Sequence, residues 1–221
     1  MRNTPDDALS NTIISENGYE QIEYYGRQTR LRSDLVNAIS FNQFRVHYQP
    51  VINLQTNEII AVEAFIRWEH PRFGILLPKE FITIAEESDF ILEMGDWTLN
   101  KVYHDYSVWL REGLPPIKVA VNYSSIQFLQ EDFVENICAI IRKYGLKPGF
   151  VIIEILERVS IRNFDIVRNN IDRLHELGIQ VALEDFGTGF SPLEYLSKLD
   201  LDTLKIDQLF TQTAPSDNAN A

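Results

Sequence analysis

The residues able to do chemistry recur at one kind of place: a charged or amide side chain at, or just beyond, the C-terminal part of a short apolar run. Asn122 follows Val119-Ala120-Val121, and Glu154 closes Val151-Ile152-Ile153-Glu154. Glu184-Asp185 follow Val181-Ala182-Leu183, Lys205 stands in Thr203-Leu204-Lys205-Ile206, and Glu63 stands in Ala61-Val62-Glu63-Ala64-Phe65. Burying a charge is costly unless it is paired or bound to a metal, so strand-end charges repeated in this way need a common partner. Gathered at one mouth, these carboxylates, the Asn122 amide and Lys205 make a divalent-metal site with a single cationic helper. Taken singly, each is as well explained as a solvated strand terminus or half of a local ion pair; it is the repetition that favours a shared site. Gly187-Thr188-Gly189 directly follows the paired acids. A GTG triplet alone is most often a plain turn, but this position favours a mobile or ligand-facing loop.

The elements that must position these groups alternate. Apolar, β-branched or aromatic runs predict strands at Phe44 to Ile52, Glu58 to Ile66, Ile117 to Val121, Phe150 to Ile155, Ile179 to Leu183 and Thr203 to Ile206. Helical apolar spacing predicts helices at Leu31 to Ile39, Pro78 to Glu87, Trp97 to Glu112, Glu131 to Tyr144, Phe164 to Leu177 and Pro192 to Leu199. Gly113, Gly145 and Gly178 sit where helix stop signals are expected. Strands apolar on both faces and separated by helices imply a helix-covered parallel sheet, either open and doubly wound or closed as a barrel. The strand-end charges favour the barrel, because a barrel brings such ends to one mouth.

Composition narrows the function classes. The chain has 221 residues, 45% of them hydrophobic, enough for one sizeable core, and a net charge of −12. That charge disfavours a nucleic-acid polymer or an anionic membrane as partner, while a small anion remains open to a site holding a metal or local cations. The single cysteine, Cys138, falls in a helical stretch and reads as a buried thiol, not a nucleophile. No membrane-spanning run or signal peptide is evident, which predicts a cytoplasmic chain or the cytosolic part of a larger signalling protein.

From about Leu31 to Phe210 the chain resembles the EAL family of cyclic di-GMP phosphodiesterases. The resemblance rests on His47-Tyr48-Gln49-Pro50, Glu63-Ala64-Phe65-Ile66-Arg67-Trp68, Pro78-Lys79-Glu80-Phe81-Ile82, Val121-Asn122-Tyr123-Ser124, Glu154-Ile155-Leu156-Glu157, Glu184-Asp185-Phe186-Gly187-Thr188-Gly189-Phe190-Ser191 and Leu204-Lys205-Ile206-Asp207. It implies an α/β fold, a TIM-like (β/α) barrel whose first strand runs against the others. It assigns metal ligation to Glu63, Asn122, Glu154, Glu184 and Asp185, with Lys205 positioning or activating the attacking water. Arg67, Ile66 and Gln49 become substrate contacts, and Glu157 steadies the loop after the paired acids. The implied chemistry is hydrolysis of cyclic di-GMP to pGpG with two Mg2+ or Mn2+ ions, which lower the pKa of a bridging water.

Three departures qualify that expectation. Phe65 stands where the family's name-giving motif has leucine, an apolar exchange expected to alter packing only. Glu184-Asp185 replace two aspartates, and the extra methylene moves a ligand that Mg2+ geometry constrains tightly. The family's final two βα units are absent after Ile206, which predicts an incomplete barrel and weak or absent turnover. The expected organisation is residues 1–30 as a linker or the tail of an upstream domain, which resembles the end of a GGDEF domain; 31–212 as a partial EAL domain; and 213–221 as a polar tail. The alternative is a degenerate EAL module, acting as a non-catalytic cyclic di-GMP receptor or a protein-interaction module. The family also implies a homodimer or an upstream GGDEF or sensor partner.

Overall fold

In the computed structural model, which describes residues 21, 23–156, 163–188 and 198–213, a helix, α1, spans residues 23–35. An antiparallel hairpin of β1 (Phe44–Ile52) and β2 (Ile59–His70) follows. β2 then pairs in parallel with β4 (Lys118–Tyr123), and β5 (Val151–Leu156), β6 (Gln180–Phe186) and β7 (Thr203–Ile206) continue the parallel sheet in that order. A short β3 (Gly74–Leu76) folds back onto β2. The fold is therefore the TIM-like barrel expected of the chain, with its first strand opposed to the rest. Among the described residues β1 and β7 are not paired with each other, so the barrel wall is open between them.

The parallel strands form because they are apolar on both faces: Val119, Ala120 and Val121 of β4 are all buried, as are Val151, Ile153 and Ile155 of β5. Helices α3 (Phe90–Arg111), α5 (Phe133–Tyr144) and α6 (Phe164–Glu176) cover the outer side, and Ile137, Ile141, Val167 and Ile171 join the strand residues in the larger core cluster. The stop glycines behave as expected: Gly113, Gly145 and Gly178 have φ of 85°, 64° and 80°.

A second cluster lies at the other end of β2. Phe44, Trp68 and Phe81 pack with ring centroids 5.8 to 6.0 Å apart, tying helix α2 (Pro78–Glu86) to the β1–β2 hairpin. Aromatic pairs of this kind add about 0.5–1.5 kcal/mol each beyond their area burial. α1 belongs to the same cluster through Leu31 and Leu35, and Asp34 reaches the buried His70 at 3.2 Å. Helical structure thus runs through the boundary expected near Arg30.

Several element boundaries differ from expectation. α3 starts at Phe90 rather than Trp97, because Phe90, Ile91 and Met94 bury one helical face although Glu93, Gly95 and Asp96 interrupt the apolar run. β3 and the short helix α4 (Ser125–Phe128) were not anticipated. The first helix ends at residue 35, with turns after it, where Leu31 to Ile39 was expected. Asn122, Glu184 and Asp185 lie inside their strands rather than beyond them. A last helix, α7, spans Gln208–Thr213. The helix expected at Pro192 to Leu199 lies almost entirely outside the described residues. No helix among those described is long and apolar enough to cross a membrane.

Candidate functional site

Side chains in a strand alternate between faces, so register decides which groups can meet. Glu63 pairs with Ala120 across β2 and β4, and Asn122 lies two residues beyond Ala120 on the same face. Asn122 pairs with Glu154, Glu154 with Ala182, and Ala182 with Thr203. Glu184 and Lys205, each two residues further on, therefore share that face too. Parity alone thus directs Glu63, Asn122, Glu154, Glu184 and Lys205 to the barrel interior, and the small Ala120 and Ala182 leave them room.

The side chains do meet. Lys205 Nζ donates to Glu63 Oε2 at 2.7 Å, to Glu154 Oε1 at 2.8 Å, and to Glu184 Oε1. Asn122 Nδ2 donates to Glu63 Oε1 at 2.9 Å. Glu63 and Glu154 are only 7% and 4% exposed. Ionised together, the three glutamates and the lysine leave two negative charges uncompensated in a site mostly closed to water.

The titration behaviour expresses that excess. Burial first, then the charge of Glu184 and more weakly that of Glu63, push Glu154 up to about 8, against the pull of Lys205. Burial also raises Glu184, again opposed by Lys205. Burial alone would lower the Lys205 ammonium, but the carboxylates of Glu154 and Glu184 outweigh it and hold the lysine above its usual range.

These groups fit a divalent cation. One oxygen from each of Glu63, Glu154 and Glu184 can be chosen so that all three lie within 4.8 Å of one another. Oxygens around a single Mg2+ span at most about 4.2 Å, twice its bond length, so a small adjustment suffices. Glu154 Oε2 is buried without a hydrogen-bond partner, an acceptor that a cation would satisfy. Asn122 offers a neutral oxygen beside Glu63.

Asp185 is not among the three carboxylates that meet, and lines the neighbouring cavity instead. Its φ is +55°, at a register break between Leu183 and Phe186 of β6, so a bulge rather than parity sets its direction. It is exposed and lines a cavity of about 580 Å³ together with Ile66, Arg67, Lys79, Asn122 and Tyr123. In the turn after it, Thr188 Oγ1 donates to the Asp185 carbonyl at 2.8 Å, and the Phe210 ring packs so closely on Gly187 that a Cβ there would meet it at 2.8 Å.

Arg67 borders this cavity with its guanidinium carbon 5.4 Å from the Phe65 ring centroid and Nη1 donating to the Ile66 carbonyl at 2.9 Å. Ile66 itself points into the second core cluster while bordering the cavity. Gln49 lies opposite Glu63 in the hairpin, on its face of the sheet, but is exposed and does not line the cavity. Glu157 lies outside the described residues.

Sequence reasoning missed Gly95 and Gln127, which also line the cavity. A Cβ on Gly95 would fall 1.8 Å from Gln127 Nε2, so any larger residue at this point of α3 must displace the amide. Gln127 is held by a capping box, with Ser124 N donating to its Oε1 at 3.0 Å. The signal was present: Ser124-Ser125-Ile126-Gln127 fits that motif.

Comparison with known proteins gives this geometry a family. The model of the EAL domain matches residues 32–221. The bifunctional diguanylate cyclase/cyclic di-GMP phosphodiesterase MucR of Pseudomonas aeruginosa is 33% identical over 194 residues, 88% of this chain and 28% of that protein. The cyclic di-GMP phosphodiesterase NbdA of the same organism is 32% identical over 207 residues, 90% of this chain and 26% of that protein. The chain therefore spans about a quarter of the length of these curated relatives. Among solved structures, the MucR phosphodiesterase in complex with c-di-GMP superposes with a TM-score of 0.82 at 32% identity, covering 86% of this chain and 77% of that one. The EAL enzyme Bd1971 in its cAMP- and cyclic-di-GMP-bound form has a TM-score of 0.82 at 26% identity, covering 100% of this chain and 61% of that one. With its family model spanning most of its length and its glutamates gathered in the mouth of a TIM-like barrel, the chain belongs to the EAL domain family.

Proposed function

We propose that this chain binds cyclic di-GMP in the cavity beside the carboxylate cluster and supports its metal-dependent hydrolysis to pGpG. The observation that carries the reading is the meeting of Glu63, Glu154 and Glu184 around Lys205, with the partnerless Glu154 Oε2, next to a cavity lined by Asn122, Asp185 and Arg67. Glu63, Asn122, Glu154, Glu184 and Asp185 would hold Mg2+ or Mn2+. Bound there, such ions supply Lewis-acid polarisation of the phosphate and a lowered pKa for the attacking water.

The chain's own groups have separable roles. Arg67 offers a guanidinium to a phosphate oxygen, a charge-assisted contact that can be bidentate. Ile66 gives an apolar surface at the cavity edge for a guanine. Lys205, whose Nζ donates to Glu63, Glu154 and Glu184, offers a hydrogen-bond donor and a local positive charge beside the reacting phosphate. In the reaction the water oxygen adds to phosphorus, one P–O3′ bond breaks, and the leaving 3′ oxygen takes up a proton. The product keeps its new phosphate on the 5′ oxygen.

A second reading, a receptor that binds cyclic di-GMP without turnover, is favoured by Glu184. Its longer side chain ends on Lys205, where the family usually has an aspartate. An upstream GGDEF or sensor partner and a homodimer belong to the same proposal. The first is supported by MucR, whose name joins diguanylate cyclase to phosphodiesterase.

Calorimetric titration with cyclic di-GMP in Ca2+ tests the binding step. Saturable uptake by the wild-type chain, weakened at least tenfold by Arg67→Ala, is the expected result. A folded wild-type chain that takes up no ligand would contradict both readings.

A further inference from the structure

We propose that Lys79 completes an anion subsite with Arg67, receiving the phosphodiester of a cyclic dinucleotide that is not being cleaved. This rests on the reading of the cavity as a cyclic di-GMP site. Residues three or four apart share a helical face, so Lys79, Ile82 and Glu86 form one row of α2, and all three line the cavity.

The other face of α2 lines a separate groove of about 490 Å³ against α1. Lys79 borders both spaces. On the groove side the charges are already matched: Arg27 Nη2 donates to Glu80 Oε1 at 2.6 Å, and Arg32 pairs with Glu87. An anion entering there would meet two carboxylates. On the cavity side neither Lys79 nor Arg67 has an ion-pair partner among the described residues; of the two carboxylates lining that space, Glu86 stands about 10 Å further along the helix axis and Asp185 lies on β6, among the residues that would hold the metal.

Position separates this pair of cations from the metal-ligand cluster. Arg67 lies four residues beyond Glu63 on β2, about 13 Å along an extended strand. Beyond Ala64, β2 leaves its parallel partner β4, and Phe65 to Arg67 pair with β1 alone before β3 joins at Trp68, which carries Arg67 away from the carboxylates. A ligand with one phosphodiester at the carboxylates therefore presents its second towards Arg67 and α2. Arg67 and Lys79, neither ion-paired among the described residues although Glu80 lies within electrostatic reach of Lys79, answer that charge in a chain whose net charge is −12. The subsite would favour ligands carrying two phosphodiesters over mononucleotides.

The test is calorimetric titration of the wild-type chain, Lys79→Ala and Lys79→Arg with cyclic di-GMP in Ca2+, at about 50 and 200 mM NaCl. Lys79 is exposed, so thermal melts of the variants should match the wild type and exclude misfolding. The expected result is affinity lower by roughly tenfold in Lys79→Ala, a smaller loss on raising salt, and near wild-type behaviour in Lys79→Arg. A lost packing contact would not change the salt dependence. Equal affinity of Lys79→Ala and wild type at both salt concentrations would overturn the role of Lys79 and leave the functional reading standing. Absence of binding by the wild-type chain would end both.

Discussion

Arg67 lies over Phe65, its guanidinium carbon 5.4 Å from the ring centroid, and the two residues are two apart on one face of β2. The exchange of leucine for phenylalanine in the family's name-giving motif was expected to change packing only. It also gives the cavity-lining arginine an aromatic rest. A cation–π contact at a partly exposed site is worth about 0.5–1 kcal/mol. Phe65→Leu should therefore weaken cyclic di-GMP binding about two- to fivefold by calorimetry. Unchanged affinity would mean that the ring does not orient Arg67.

Lys205 is the only cation bonded to the glutamate cluster among the described residues. Removing one partner of a buried charge cluster costs about 3–5 kcal/mol, and partial exposure of the lysine places this case at or below the lower end. Lys205→Met should lower the melting temperature by about 5–10 °C at neutral pH without metal. Saturating Mn2+ should restore more stability to the variant than to the wild type. Equal metal responses would show that the glutamates do not share one cation site.

Gly95→Ala sets two effects against each other. Alanine gains about 1 kcal/mol of helix propensity in α3. Its Cβ would meet Gln127 Nε2 at 1.8 Å, displacing an amide whose oxygen accepts from Ser124 N. Leaving such buried groups unsatisfied costs about 1–3 kcal/mol, so a net loss is expected in urea denaturation, together with weaker ligand binding at the cavity floor. A stabilised variant would mean that Gln127 moves aside freely.

Asp202 gives stability a pH dependence. Burial alone would raise its carboxyl, but the Val181 N–H at 2.7 Å, His175 Nε2 at 2.9 Å and Gln180 hold it below the ordinary aspartate value. A lowered folded-state pKa contributes stability that is present above the unfolded value of about 3.9 and is lost as pH falls through the folded one. Denaturation at a series of pH values should show Asp202→Asn less stable than wild type at pH 5 to 6, with the gap closing below about pH 3. A gap independent of pH would remove the assignment.

The part of the site that follows from alternation was legible in the sequence. Glu63, Asn122, Glu154, Glu184 and Lys205 stand at corresponding depths of successive strands, and strand parity does the rest. The path of Asp185 was not legible, because it depends on a bulge with positive φ rather than on pattern. β3 is three residues long and exists because β2 runs past its parallel partner, a tertiary fact. The side of α2 that meets the cavity, and with it Lys79, depends on the Phe44, Trp68 and Phe81 packing that fixes the helix. The start of α3 was hidden by Glu93 and Asp96, which point away from the buried Phe90, Ile91 and Met94.

The most direct test of the carboxylate cluster as a hydrolytic centre is product analysis of cyclic di-GMP incubated with the wild-type chain and with Glu154→Gln, in Mn2+ and in chelator. The expected result is pGpG from the wild type in Mn2+ only, and none from the variant. Absence of pGpG from a folded, ligand-binding wild-type chain, or equal product from Glu154→Gln, would contradict it.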